Sequence, residues 1–363
     1  MNQLDRYIGL VTLRIFIAVA AGLTALFSLL AFVEQLALVG DGHYGAGAAF
    51  IYIVFTTPYR FLQLAPVAML LASLLALGML ARHAELTAWR SLGVSEARMI
   101  GAVLKFSLPV IFALFLIAQY VVPTAQLLAQ RAQEAALGPS ATALHSGGFW
   151  VTHDRQYLNV QHFSYGSQPE DIEIFSFAED GSLATYLHAG SAMVEPSGVW
   201  LLQDVLEKQA ENTQFITTHL PALPWSSFVS PQQMQLLRLP PETMPPISLF
   251  QYIHELKRND QQAVSDELIF WTMVSIPVSL LAMVLAAAPF AFGTQRMQSA
   301  GRQILIGALL GIGFELTQQL VFYFGLRLDL PPALTALAPS AVLTGIALYA
   351  MQRAHGVLRR PAS

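Results

Sequence analysis

IGAVLKFSLPVIFALFLIAQYVV, residues 100–122, runs straight into PTAQLLAQRAQEAALGP, residues 123–139, and the change of character between them decides the fold. About 20 apolar residues suffice to cross the hydrocarbon of a bilayer, and the first stretch supplies them. The second is a polar helical stretch, Gln126–Ala136, that stops at Gly138-Pro139. A membrane span therefore hands over to chain that lies in water. Working outward, two more apolar runs precede this point, Leu13–Val33 and Leu62–Ala81. Three follow much later, at Leu268–Phe292, Ile304–Phe324 and Ala333–Met351. Pro66, Pro277 and Pro339 fall inside these runs, which transmembrane helices tolerate because neighbours re-satisfy the released carbonyls. The composition agrees: 55% of the 363 residues are apolar and 12% charged, against about 25% charged in soluble domains.

Between Thr124 and Glu267 the pattern is of another kind. Short alternating or β-branched runs appear at Phe149–Thr152, Gln156–Phe163, Asp171–Phe177, Leu183–His188, Val199–Leu206 and Phe215–Leu220. Glu179-Asp180-Gly181 and Glu195-Pro196-Ser197-Gly198 supply turn chemistry between them. This spacing predicts an antiparallel sandwich or roll. A Pro-rich connector from Leu239-Pro240-Pro241 to Pro245-Pro246 closes it, and Ser248 with Gln251 suggests a capping box for an amphipathic helix. The expected fold is thus an α-helical membrane protein with six transmembrane helices, three plus three, and an inserted all-β domain. Residues 1–125 carry spans one to three with a short helix at about 83–93. Residues 126–262 carry the β domain with its helical and Pro-rich connectors. Residues 263–363 carry spans four to six and the C-terminus.

Charge sets the expected orientation. Arg6, Arg14, Arg82, Arg90, Arg98, Arg296, Arg302, Arg353, Arg359 and Arg360 all collect on one side of the six spans. The short loops opposite are nearly bare, with no Lys or Arg from Gly40 to Gly47 and only Arg327 from Gly325 to Pro332. The positive-inside rule then places both termini in the cytosol and the β domain outside it. The apolar run after Arg14 continues to about Leu38, too long for a cleaved signal peptide.

Catalytic chemistry is hard to find. There is no cysteine, which removes disulfides, thiolate metal sites and cysteine nucleophiles. No Gly-Lys pair occurs, so no P-loop is present. His254-Glu255 lacks the second histidine of a zinc protease helix, with Arg258 in its place, and no Gly-x-Ser-x-Gly elbow exists. His145, His153, His162, His188 and His219 are scattered without ligand spacing. No metal site is expected. A net charge of −4 without a basic patch gives no reason to expect nucleic acid.

Charges within or beside the spans say more, because they are costly in lipid. Arg14, Glu34 and Lys105 lie near helix ends, where snorkelling explains them. Glu315 lies near the middle of the fifth span, with Gln318 and Gln319 one turn on. Such a stripe suits either packing against a partner or a substrate path. The link between spans two and three, His83 to Gly93, has helical periodicity, with Glu85, Leu86, Trp89, Arg90 and Ser91 before a Gly93 stop and a new start at Ser95. It is either a solvated connector or a plug for a cytosolic partner, and Trp and Arg are frequent interface anchors.

At these residues the chain resembles the LptF/LptG (YjgP/YjgQ) family of lipopolysaccharide export permeases. Similar segments are Leu4 to Gly9, Pro66 with Leu77 to Ala81, Glu85-Leu86, Arg90 to Ser95, Pro277, Phe292-Gly293, Arg296, Gly301, Gly307, Gln318-Gln319 and Pro331 to Pro339. The opening Leu4 to Gly9 is similar to the LptG side of the family. The resemblance implies a periplasmic β-jellyroll and a heterodimer with an LptF-type sister permease in the Gram-negative inner membrane. It implies a cytosolic ABC ATPase dimer that binds the ATP and magnesium, leaving this chain without a cofactor, and a bitopic jellyroll partner, LptC. Lipopolysaccharide would enter laterally, through a gate the family assigns partly to spans one and five, and be passed to the jellyroll bridge for outer-membrane assembly. The helix with Glu85, Leu86, Trp89, Arg90, Ser91 and Gly93 would be the coupling helix seated in the ATPase. Phosphorylated sugars would call on Arg131, Arg60 or Arg327, since the first span ends in Glu34-Gln35 where some relatives carry lysines. Phe32, Glu315, Gln318 and Gln319 complete the expected substrate-contacting set. Two other readings stand beside this one: a proton-coupled secondary transporter using Glu315, and a non-transporting scaffold or receptor.

Overall fold

The computed structural model describes residues 3–40, 43–137, 149–153, 155–164, 168–178, 181–195, 199–211, 214–227, 241–258, 263–292 and 300–357. Arg296, Arg359, Arg360, His145 and the expected turns at Gly138-Pro139, Glu179-Asp180 and Pro196-Ser197-Gly198 lie outside them, as does Leu239-Pro240. The helices are α1 (Gln3–Gln35), α2 (Ala46–Arg82), α3 (Glu85–Ser91), α4 (Glu96–Leu116), α5 (Val122–Leu137), α6 (Pro246–Arg258), α7 (Val264–Phe292), α8 (Ala300–Arg327) and α9 (Pro332–Val357). Among the described residues, six segments are long and apolar enough to cross a membrane, three before the sheet and three after it.

The third span exceeds its apolar run. It continues from α4 through a π turn, Ile117–Val121, into α5, giving 42 residues from Glu96 to Leu137. That is about 60 Å at 1.5 Å per residue, twice the hydrocarbon thickness. The sequence suggests a break where Pro123 follows the apolar run. The structure instead widens the helix just before Pro123, which makes room for the ring and spares the missing N–H. The polar helical stretch Gln126–Ala136 is the projecting end of the span.

The second span is the centre of the bundle. Its small residues Ala65, Ala68, Ala72, Ser73, Ala76 and Gly78 are buried, and backbones approach closely where side chains are small. On α8, Gly307 and Gly311 face it: a Cβ on Gly311 would lie 2.7 Å from Val67 Cγ1, and one on Gly307 2.5 Å from Leu71 Cδ2. Span four joins span six through a 2.8 Å hydrogen bond between the buried hydroxyls of Ser279 and Ser340.

Among the described residues the inserted domain has six strands: β1 (Phe149–His153), β2 (Gln156–Ser164), β3 (Gln168–Phe177), β4 (Leu183–Val194), β5 (Val199–Glu211) and β6 (Gln214–Ser226). They form one antiparallel sheet whose neighbours follow chain order. One face holds Leu158, Val160, Ile172, Ile174, Leu187, Ala189, Trp200, Leu202 and Val205 in a buried cluster. The other carries polar cross-strand links. Asn159 Nδ2 and the Tyr186 hydroxyl both donate to the Glu173 carboxylate, at 3.3 and 2.9 Å, and His188 pairs with Asp171 at 3.0 Å. Burial, reinforced by the Glu173 bond, pushes the Tyr186 phenol up to about 12.

A crease crosses this sheet. Gln161, Asp171, Gly190, Asp204 and Pro221 stand in one row, where pairing lapses and then resumes on both sides. Asp171 and Asp204 are left-handed, at φ 56° and 53°, and Pro221 has no N–H to give. One residue per strand steps out of the ladder there without changing the register, and the alternation flips beyond it. The inward positions change accordingly, from Leu187 and Ala189 to Ala192 across Gly190, and from Val205 to Leu202 and Trp200 across Asp204. The crease lets a single sheet bend around its apolar face.

The return to the membrane uses α6. It begins at Pro246, so Ser248 is already inside the helix and the expected capping box with Gln251 does not form. Pro246 suits the first helical position. The cap comes from elsewhere: the Ile247 N–H donates to Gln119 Oε1, on the π turn of span three, at 3.3 Å. Lys257 and Glu267 pair across the hairpin to α7. Burial, with help from Asp266, pushes the Tyr252 phenol on α6 up to about 12.

Candidate functional site

Two places in the molecule gather the expected residues. The first is α3, a helix of seven residues between spans two and three. It starts after Ala84, left-handed at φ 59°, and ends before Gly93 at φ 83°, a conformation suited to glycine. Ser95 then caps α4 by accepting from the Arg98 N–H at 3.3 Å. Leu86 is 4% exposed and belongs to the core of spans one to three. Trp89 packs against the same core and meets the Tyr7 ring edge-on, with centroids 6.0 Å apart. Glu85 Oε1 accepts from the Tyr7 hydroxyl at 3.3 Å. Arg90 pairs with Glu96 at 3.1 Å, and Ser91 Oγ donates to the Ala88 carbonyl. The face turned away from the bundle consists of Thr87, Ala88, Arg90, Ser91 and Leu92, with Leu92 79% exposed.

The periodicity of this segment gave the anchors but not their direction. Leu86 and Trp89 point inward and hold the helix. The exposed apolar side chain is Leu92, whose signal was its place just before the glycine stop.

The second place is a cavity of about 450 Å³ at the other end of the bundle. Its walls are span four (Ile269, Met273, Pro277), span three (Ile111, Leu114, Phe115) and span five (Glu315, Gln318, Phe322). Tyr59 and Gln63 of span two contribute to the lining, and the connector after the sheet adds Glu242 and Met244. Glu315 and Gln318 therefore face one space, as the polar stripe suggested, and Gln319 Nε2 donates back to Glu315 Oε1 at 3.4 Å. No other ionisable group bonds to Glu315 among the described residues.

The expected cations do not meet there. Arg60, half-buried on α2, donates to Thr56 Oγ1 at 2.6 Å. Arg131 is exposed on α5, and Arg327 is exposed in the last turn of α8. Phe32 stacks edge-on against Phe50 and joins a small cluster with Tyr44, Ala49 and Leu137. None of these four lines the cavity. Sequence reading missed Glu242, which sits in a Pro-rich stretch with no periodicity, and Gln119, whose polar side chain within an apolar run was the available signal.

Six spans split by an inserted sheet, with a short anchored helix at one end and a largely apolar cavity at the other, define a membrane permease subunit. The family model described as "Lipopolysaccharide export system permease LptF/LptG" matches residues 6–353, and the chain belongs to that family. It is 28% identical to the lipopolysaccharide export system permease protein LptG of Haemophilus influenzae, over 97% of this chain and 99% of that one. It is 27% identical to LptG of Escherichia coli K12, over 96% and 98%. The similarity spans membrane helices and sheet alike, so the chain is a transport protein and not an enzyme.

Proposed function

We propose that this chain is the LptG-type permease subunit of an ATP-driven lipopolysaccharide exporter. In this reading it sits in the inner membrane with both termini cytosolic and the sheet in the periplasm, beside an LptF-type sister permease. An ABC ATPase dimer below binds ATP and magnesium, and an LptC-type bitopic protein receives the lipid above. The observation that carries the reading is α3: a short helix locked to three spans by Leu86 and Trp89, offering an outward face of Thr87, Arg90, Ser91 and Leu92. A helix held so firmly from within transmits force applied from without.

The membrane surface fits the remainder. Spans one and five each keep only 17% of their apolar windows buried within the chain. Two such faces suit a sister subunit and a lateral path for an acyl-chained substrate. Arg131 and Arg327 stand exposed for charge-assisted bonds to phosphorylated sugars. Arg60, held by Thr56, is a less available cation.

The test is recovery of an ABC-type ATPase with this protein from its native membrane. Thr87→Asp, and more strongly Leu92→Asp, both on the outward face, is expected to reduce the ATPase recovered at least fivefold. Equal recovery with all three proteins would remove α3 from the docking site. No ATPase with any of them would remove the exporter reading.

A further inference from the structure

We infer that Tyr7 is a positioning residue that couples α3 to the first span, so that a push on the helix tilts that span as a lever. The inference rests on the docking reading above, but the residue and its role come from geometry alone.

A seven-residue helix does not hold itself in water or at an interface, because so few hydrogen bonds follow a costly nucleus. Its orientation must come from tertiary contacts. The chain turns sharply at both ends, left-handed at Ala84 and Gly93. Three contacts therefore fix its tilt. Leu86 seats it in the core, and Arg90 ties it to Glu96 at the start of span three. Tyr7 ties it to span one twice over, by the hydroxyl bond to Glu85 and the ring edge on Trp89. Tyr7 is 44% exposed, so it is no core filler. Its contacts orient α3 without closing a cavity.

The first span is built to carry such a push. Its 33 residues contain no proline, whereas spans two, three, four and six all contain at least one. From Tyr7 to Gln35 it extends about 40 Å at 1.5 Å per residue, laid along the second span by one seam and held at its far end by Phe32 on Phe50. A pivot brackets Tyr7, two residues away on either side. Gly9 lets the Phe106 ring of span three come so close that a Cβ would sit 2.0 Å from Cδ2, and Asp5 pairs with Lys105 of the same helix at 3.5 Å. Displacement at Tyr7 about that pivot becomes a swing of the distant end at Val33.

The absence of cysteine makes the swing measurable. Spin labels at Val33→Cys and Leu334→Cys, both exposed, report the distance between the ends of spans one and six. The complex recovered with its ATPase is compared without nucleotide and in an ATP-trapped state. The expected result is a nucleotide-dependent change with Tyr7 present, reduced to less than half in Tyr7→Ala and to an intermediate value in Tyr7→Phe, which keeps the ring edge. ATPase recovery and hydrolysis should stay within about twofold. An unchanged swing in Tyr7→Ala, or no swing with Tyr7 present, overturns the lever. Loss of the swing together with the ATPase also overturns it, because Tyr7 would then serve docking or folding. Failure to recover any ATPase with Tyr7 intact identifies the docking reading as the one at fault, and the inference falls with it.

Discussion

The first and second spans are equally apolar in sequence, yet 72% of the second span's window is buried within the chain and 17% of the first's. Greasiness cannot explain the difference, because lipid tails are as apolar as leucine and offer no hydrophobic drive for helices to associate. Shape explains it. The second span presents alanines, Ser73 and Gly78 on several sides, and glycines of α8 close onto it. The first span has a single narrow seam, Ile8, Thr12, Phe16, Ala20 and Thr24, one residue in four. Much of its remaining surface, including Leu26, Phe27, Leu29, Leu30 and Val33, is exposed. One helix is a core and the other is a limb.

The comparison breaks most sharply at Gly311. A leucine there must displace Val67, a β-branched side chain with little rotamer freedom on the central helix. Gly311→Leu should cost about 3 kcal/mol, the upper end for overpacking, read as a lower midpoint of thermal unfolding in detergent. A midpoint like that of the unaltered protein would show that α8 is no tighter than α1. Truncating the seam of the first span is milder. Phe16, 3% exposed and edge-on to Phe61, leaves a void as Phe16→Ala. Roughly 3–5 kcal/mol is lost for such a change in a water-soluble core. In lipid the transfer contribution largely vanishes and only the packing loss remains, so about 2 kcal/mol is expected in the same assay. A loss as large as that of Gly311→Leu would erase the distinction between core and limb.

The number of spans and the presence of a β insert were legible because length and alternation are local signals. Which spans are central was not, since hydropathy is the same inside a bundle and against lipid. In the sheet, the run read at Leu183–His188 stops short of Gly190 and the run at Val199–Leu206 passes through Asp204, while the inward positions change phase at both residues. A single alternating pattern therefore follows neither strand to its end. The join of α4 to α5 through the π turn was hidden because the apolar run, by which the span was read, ends at Val122. At the candidate site, Glu85 to Gly93 stood out by periodicity and composition. Its attachment to Tyr7 did not, because the two lie 78 residues apart in sequence. Glu315 and Gln318 were legible as a stripe. The scattered positions of Arg60, Arg131 and Arg327 were not, since each was chosen for its charge and depth alone.

The smallest effect sharpens the comparison furthest. Leu29 and Leu30 on the first span are 59% and 53% exposed, and they touch little that a truncation could disturb. Surface substitutions of this kind change stability by less than about 0.5 kcal/mol. Leu29→Ala with Leu30→Ala should therefore leave the thermal midpoint of the isolated chain unmoved. If this face belongs to a sister permease, the same pair should lower recovery of that subunit from the membrane several-fold, because packing loss is then felt between chains instead of within one. A shift in the isolated chain's midpoint would mean that the first span is packed more deeply than its exposure shows. No change in either measurement would place the sister subunit on the other poorly buried span, α8, where Leu309, Ile312 and Leu316 offer an equally bare face. The paired measurement thus separates a limb that waits for a partner from one that simply meets lipid.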